Sequence, residues 1–457
     1  MRAKNIAQRT FDMPFFLMVL LLWLIGNALV CSAVAPPTDA PSGLSDLFAY
    51  IGNSFETSPL FRSQVIWTIM GIIIVLIMVS VPVEWYYKIA PFFYVATILL
   101  LIAVLTSGVS SKGAGRWIAI GGIKLQPSEF AKIGLLLMLA RHFARYEISL
   151  KKPITLLAPG IIILIPFALV IRQPDLSTTL ALIAMSLPIF YWVGLKLVEI
   201  LYLISPGISA LLAVLPLIVA FVRKGTVETV MTSGVDAVTT QGSQLGIIGT
   251  IPWAIFFATL CVLFYFFRTS KIILVLVISL NLLSASASTL VWENWLNDYQ
   301  KVRVISFINP QLDPKGSGWQ VIQSQIAIGS GKFSGKGYLK GTQVNLAYLP
   351  EQHTDFIFSV LGEQFGFYGC VGVILLFFML IARALHAVTN INERFINVLV
   401  VGATSLLVYH IFVNIAMGIG LMPVTGLPLP FLSYGGSFTL TVSMLVGLIL
   451  SARAQDI

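Results

Sequence analysis

A chain of 457 residues could hold two or three soluble domains, but 57% of it is hydrophobic, 10% is charged and its mean hydropathy is +0.92. That composition excludes ordinary soluble domains and places the chain in a lipid bilayer. The formal net charge of +9 comes from basic residues dispersed at segment ends, and no aromatic-interleaved basic module accompanies it, so nucleic acid is not an expected partner.

Apolar stretches of roughly 18 to 25 residues, long enough to cross about 30 Å of hydrocarbon, recur along the chain. Inside lipid each must satisfy its own backbone, so these are helices. In chain order they predict an all-α polytopic membrane protein, a single integral membrane domain over 1–457 with about twelve transmembrane helices. The segments are 14–34, 64–83, 89–106, 128–145, 154–171, 176–194, 198–221, 248–267, 271–290, 355–384, 396–418 and 434–452. The first follows Arg2, Lys4 and Arg9 and ends near Ala33-Val34-Ala35, which has the look of a cleaved signal peptide. Its apolar run is too long for an h-region, and a retained helix is expected.

With the N-terminus inside, alternate connections carry Lys88, then Arg141, Arg145, Lys151 and Lys152, then Lys196, Arg268 and Lys271, then Arg383 and Arg394, and finally Arg453. The positive-inside rule assigns these to the cytoplasm. Loops 35–63, 107–127, 222–247, 291–353 and 419–433 then face outside, and their glycines and prolines predict defined turns. The large loop 291–353 reads as structured, with a short amphipathic helix expected near Trp319 to Ile328, suited to the membrane surface. Cys31, Cys261 and Cys370 lie in apolar segments without metal-type spacing and read as packing residues.

A charge in hydrocarbon costs at least about 2.5 to 3.5 kcal/mol, so ionisable residues at the start of a span need an explanation. Arg116 precedes Gln126-Pro127-Ser128-Glu129, an ordinary helix start, and Glu129 and Lys132 share a face three residues apart. A structural ion pair and a polar site offering Arg116 and Lys132 to an anionic substrate are both open. Glu351-Gln352-His353-Thr354-Asp355 leads into a long apolar helix, where Thr354 or Asp355 can be an N-cap and Asp355 can be a catalytic carboxylate, alone or in addition. His353 reads equally as metal ligand, proton relay or interfacial side chain. The proline-rich run from Met422 to Pro430, continuing to Ser433-Tyr434-Gly435-Gly436-Ser437, predicts scaffold that lines an enclosed cavity or re-enters the membrane. Gly329-Ser330-Gly331-Lys332 is no P-loop, because Ser330 and Gly337 occupy positions that need glycine and a hydroxyl.

Six ordered blocks carry a resemblance: GAGRWIAIGGIKLQPSEFAK, RQPDLSTTLAL, DYQKVRV, QSQIAIGSGKFSGKGYLKGTQ, YLPEQHTDFIFSVLGEQFGFYG and MPVTGLPLPFLSYGGS. Together they resemble the SEDS family (shape, elongation, division and sporulation), polytopic peptidoglycan glycosyltransferases of the bacterial cytoplasmic membrane. GKGYLKGTQ and PVTG look like the elongation branch; division members commonly carry lysine before that glycine, where Thr425 stands. Family members usually have ten helices, and the surplus pair falls in 198–267, where the resemblance is absent.

The resemblance implies polymerisation of lipid II into glycan strands with an undecaprenyl diphosphate leaving group, beside a class B penicillin-binding protein as partner. It places the family's essential acid at Asp355 and a second polar cluster at Arg116, Glu129 and Lys132. Gln126, Glu351, His353 and Ser433, in the same motifs, are candidate supporting residues. A divalent cation, Mg or Mn, is a candidate cofactor, with Glu129 and Asp355 its candidate ligands. The competing readings are a flippase for the same precursor, which needs a polar path through the midplane, and a non-catalytic scaffold of the cell-wall synthase.

Overall fold

The computed structural model describes residues 11–34, 43–107, 109–111, 114–120, 123–146, 153–223, 236–267, 271–295, 298–314, 316–346, 348–388 and 391–454. Arg2, Lys4, Arg9, Ala35, Gly113, Lys151, Lys152 and Arg268, and residues 224–235 of loop 222–247, lie outside them, while 236–247 are helical and not loop as expected.

Among the described residues, twelve long helices occur where the apolar segments predict them. They are α1 (Met13–Val34), α3 (Pro59–Ser80), α4 (Val83–Ser107), α5 (Pro127–Arg145), α6 (Leu157–Ile171), α7 (Leu176–Val193), α8 (Leu197–Arg223), α9 (Asp236–Phe267), α10 (Lys271–Asn294), α14 (Ile357–Val388), α15 (Arg394–Gly418) and α16 (Gly436–Arg453). Among the described residues ten helices are long and apolar enough to span a membrane. Helix α5 is outside that set because it carries Glu129, Lys132, Arg141 and Arg145, and in α9 the apolar stretch is the shorter Ile251–Phe267. Proline opens α3 and α5, where its missing N–H costs nothing, and the Ser58 hydroxyl caps α3 by accepting from the Phe61 amide at 3.4 Å.

Helices α15 and α16 form the centre, with 72% and 83% of their spans buried, against 17% for α6 and α10 at the periphery. Helix α16 packs on α3 and α15, and α15 on α5, α7 and α14. A helix apolar on every side is expected in such a core.

The connections hold more structure than their turn residues imply. Segment 35–63 contains α2 (Leu44–Thr57), whose mixed polar and apolar composition hides it from a search for long apolar runs. Loop 107–127 folds into a three-stranded antiparallel sheet, a small departure from an all-helical chain: β1 (Val109–Ser111), β2 (Ala114–Ile120) and β3 (Ile123–Leu125), with Val109 opposite Trp117 and Ile118 opposite Leu125. The large loop contributes α11 (Asp298–Ile308), α12 (Ser317–Ser330) and α13 (Thr342–Asn345). Helix α12 is the expected short helix; it buries Val321, Ser324 and Ala327 against α14 and α15 and leaves Trp319 and Ile326 exposed.

Helices α8, α9 and α10 are joined by a ladder of small polar groups. Trp253 Nε1 donates to Ser209 Oγ at 2.9 Å, Asn281 Nδ2 to Ser205 Oγ at 2.8 Å, and Ser284 and Ser288 donate to the Pro206 and Ala210 carbonyls. Such contacts glue helices where lipid supplies no hydrophobic drive between them.

At the bundle end that collects Arg383 and Arg453, the buried Asp12 carboxylate ties three helices. Arg383 Nε donates to it at 2.9 and 3.2 Å, Arg453 pairs with Oδ2, and Oδ1 accepts the Phe15 amide at 3.1 Å. Asp12→Ala is expected to lower stability by about 1–2 kcal/mol, as a lost cap and a partly exposed ion pair together dictate. A thermal unfolding curve checks this.

Candidate active site

At the opposite end, Asp355 lies in a tight turn over 351–356, two residues before α14 begins. Glu351 adopts φ +55°, and its carbonyl accepts the amides of both Thr354 and Asp355 at 3.1 Å. The Thr354 hydroxyl also turns back to that carbonyl, at 3.1 Å. The carbonyls of 353, 354 and 355 are each held by a different donor. His353 O accepts the Tyr434 amide at 2.9 Å, Thr354 O accepts Ser433 Oγ at 2.5 Å, and Asp355 O accepts Asn414 Nδ2 at 2.8 Å. The same Asn414 amide donates to Leu427 O at 2.7 Å. Gly426, at φ +75°, faces the acid: a Cβ there would lie 3.6 Å from Asp355 Oδ2. The proline-rich segment is thus the scaffold its composition predicts, with Leu427, Leu429, Phe431 and Leu432 buried.

From the loop side, Gln352 Nε2 donates to the carbonyls of Ala33 (2.8 Å) and Val344 (3.2 Å). Short helix α13 is fixed in turn by the fully buried Glu363 carboxylate, which accepts from Lys336 at 2.6 Å and from the Gln343 and Val344 amides at 2.9 and 3.1 Å. The glycine- and lysine-rich run from Gly329 to Gly337 serves this packing: Gly335, at φ +79°, sits so close that a Cβ would come within 2.1 Å of the Gln364 carbonyl oxygen.

Burial pushes the His353 imidazole below its ordinary 6.5, partly offset by the Glu351 carboxylate beside it. A histidine depressed in the folded state contributes stability above its unfolded pKa and loses it as pH falls through that value. Acidification below about pH 6.5 is therefore expected to loosen this turn, readable as faster amide exchange at 351–356.

A second polar group surrounds the start of α5. Lys132 Nζ pairs with Glu129 Oε1 at 2.8 Å and meets His410 Nε2 at 3.1 Å; Lys132 is 0% and Glu129 4% exposed. Glu129 Oε2 has no hydrogen-bond partner among the described residues. Gln126 donates its amide to Ser437 Oγ at 3.0 Å and its side chain to Ser128 Oγ and to Asp175 Oδ2, at 3.1 and 3.2 Å. Asp175 caps α7 by accepting the Thr178 amide at 3.2 Å. Arg116, on β2 and half-buried, donates to the carbonyls of Gln173 (3.0 Å) and Pro174.

Of the residues singled out by sequence, Asp355, Glu351, His353 and Ser433 thus fall in one group, Gln126, Glu129 and Lys132 in a second, and Arg116 holds the turn beside the second. His410 and Asn414 escaped the motif reading. They lie four residues apart on α15, hence on one face; Asn414 touches the first group at Asp355 and His410 the second at Lys132. Their signal was present: a polar side chain in an apolar span is costly and usually has a purpose. Among the described residues no group of three His, Cys, Asp or Glu side chains converges.

A bundle of apolar helices with a braced carboxylate at one end defines a multi-pass membrane protein with a built polar site. The chain belongs to the FtsW/RodA/SpoVE family, the SEDS proteins, whose model, described as cell cycle protein, matches residues 15–247 and 248–456. Peptidoglycan glycosyltransferase RodA of Treponema pallidum is 32% identical over 406 residues, covering 87% of this chain and 90% of the relative. Peptidoglycan glycosyltransferase MrdB of Escherichia coli K12 is 34% identical over 389 residues, covering 84% and 83%. Two solved structures share the fold, each matching over 98% of both chains. One is from a study of structural coordination of polymerization and crosslinking by a peptidoglycan synthase complex (TM-score 0.65, 24% identity); the other is Thermus thermophilus rod shape determining protein RodA (0.57, 20%).

Proposed function

We propose that this protein is a peptidoglycan glycosyltransferase that polymerises lipid II into glycan strands during cell elongation. Family membership and the names of relatives at 32–34% identity support the activity. The observation that carries the assignment to this site is the bracing of the Asp355 turn, whose three successive carbonyls are each fixed by a separate donor.

The donor sugar of lipid II is α-linked to diphosphate and the product is β-linked, so one inverting displacement suffices. Asp355 takes the proton from the acceptor 4-hydroxyl as that oxygen attacks the anomeric carbon, and undecaprenyl diphosphate leaves. Arg116, half-buried at the mouth, is the cation best placed to meet the diphosphate, while the enclosed Lys132 acts through its field, oriented by Glu129. A divalent ion, in this reading, arrives with the diphosphate as its counter-ion. The basic residues at the other bundle end favour a cytoplasmic N-terminus and an extracytoplasmic Asp355. We read a class B penicillin-binding protein as the partner, and 198–267 as a helix pair added to the family's usual ten.

Proteoliposomes holding labelled lipid II, with and without a divalent ion and the partner, test the activity. Glycan strands are expected. Lipid II translocation without strands would mean a flippase, and neither product under any condition would mean a scaffold.

A further inference from the structure

We propose that Asn414 is a positioning residue for the transfer, fixing the backbone and hence the carboxylate direction of Asp355; the inference rests on the role given to Asp355 above. Asparagine inside a membrane helix ordinarily satisfies itself locally. Asn27 and Asn281 do so here with one bond each, to the carbonyl four residues back at 2.8 Å, and give a second to a hydroxyl of a neighbouring helix, Thr68 and Ser205. Asn414, fully buried on α15, does otherwise. Its amide reaches outside the helix to two irregular segments, the carbonyls of Asp355 and Leu427 at 2.8 and 2.7 Å.

The consequence is geometric. Ser433 fixes the peptide plane before Asp355 and Asn414 the plane after it, so the Cα–Cβ direction of the acid is set from both sides. The second bond of Asn414 draws in Leu427, the neighbour of Gly426, and Gly426 is the backbone that the Asp355 carboxylate faces. One amide therefore sets both the direction of the acid and the wall it faces. Without it the Asp355–Phe356 plane loses the bond that orients its carbonyl, and a displacement of about 1 Å at a reacting group costs on the order of 10²-fold in rate.

The test compares Asn414→Leu, of similar volume and without donors, with Asn281→Leu, which removes a buried amide from the α8–α10 contact. Both are made in the full-length protein in detergent. On labelled lipid II, Asn414→Leu is expected to lose on the order of 10²-fold in kcat. Its KM should stay within about threefold, the pattern of an interaction realised in the transition state. Amide exchange should quicken at 352–356 and 424–430 while α3 and α16 stay protected. Should Asn414→Leu fail to fold, Asn414→Asp, which keeps the volume but replaces the donors by acceptors, is read in the same way. An unchanged kcat would overturn the proposal, as would a loss matched by Asn281→Leu together with global loss of protection. Local loosening beside a fully active Asp355→Asn would instead sink the role of Asp355 and leave the clamp standing.

Discussion

Glu129→Ala is expected to destabilise the protein by about 3–5 kcal/mol, because it strands a Lys132 ammonium that has no exposure to solvent. A typical fold is stable by only about 5–15 kcal/mol, so the loss should show as a large drop in thermal midpoint and in folded yield. The pair itself is a different matter. Replacing both charges by apolar groups of similar size is often neutral or stabilising, and Glu129→Leu/Lys132→Met is expected to recover most of the lost stability. That double variant separates the two readings the sequence left open. A purely structural pair predicts a stable, active protein. The field assigned here to Lys132 predicts a stable protein that polymerises more slowly, by on the order of tenfold or more.

The second large effect falls on the acid. Asp355→Asn keeps the size of the side chain and leaves the carbonyl bonds to Asn414, Ser433 and Tyr434 untouched, because those involve the backbone. Folding should be preserved. Loss of the general base is expected to lower the polymerisation rate by about 10²–10⁴-fold. Asp355→Glu tests placement separately from chemistry: it restores a carboxylate but carries it one methylene further from the braced turn, in a site that Gly426 faces. Partial activity, well below wild type, is the expected result.

Most of the transmembrane architecture was legible because hydrocarbon imposes a coarse rule: a span must be long, apolar and helical. The rule reads α1, α3 and α14 to α16 directly. It even finds α5, whose charges set it apart from the other spans, because Pro127 and the Glu129–Lys132 spacing mark a helix start. It fails for α2, whose exposed Phe48 and Phe55 alternate with polar residues, and for the small sheet, whose strands of three to seven residues give too little periodicity.

For the site, the motifs pointed to residues that chemistry favours, the acids and bases. They said nothing of how those groups are held. Asn414 and His410 sit in runs that look like ordinary span, and only the folded chain brings them to Asp355 and Lys132, across 59 and 278 positions of sequence. Arg116 and Gln126 were picked out for a substrate, yet both also work as struts, on the Gln173–Pro174 turn and on Asp175. Sequence shows which side chains are expensive; it does not show which neighbour makes the expense worthwhile.

The most direct test of the central claim is a comparison of wild type and Asp355→Asn at equal folded concentration. Each is purified and given labelled lipid II, and products are resolved by strand length. The account predicts a ladder of glycan strands from wild type and unconverted lipid II from the variant, with equal thermal midpoints. Equal ladders from the two proteins would contradict it.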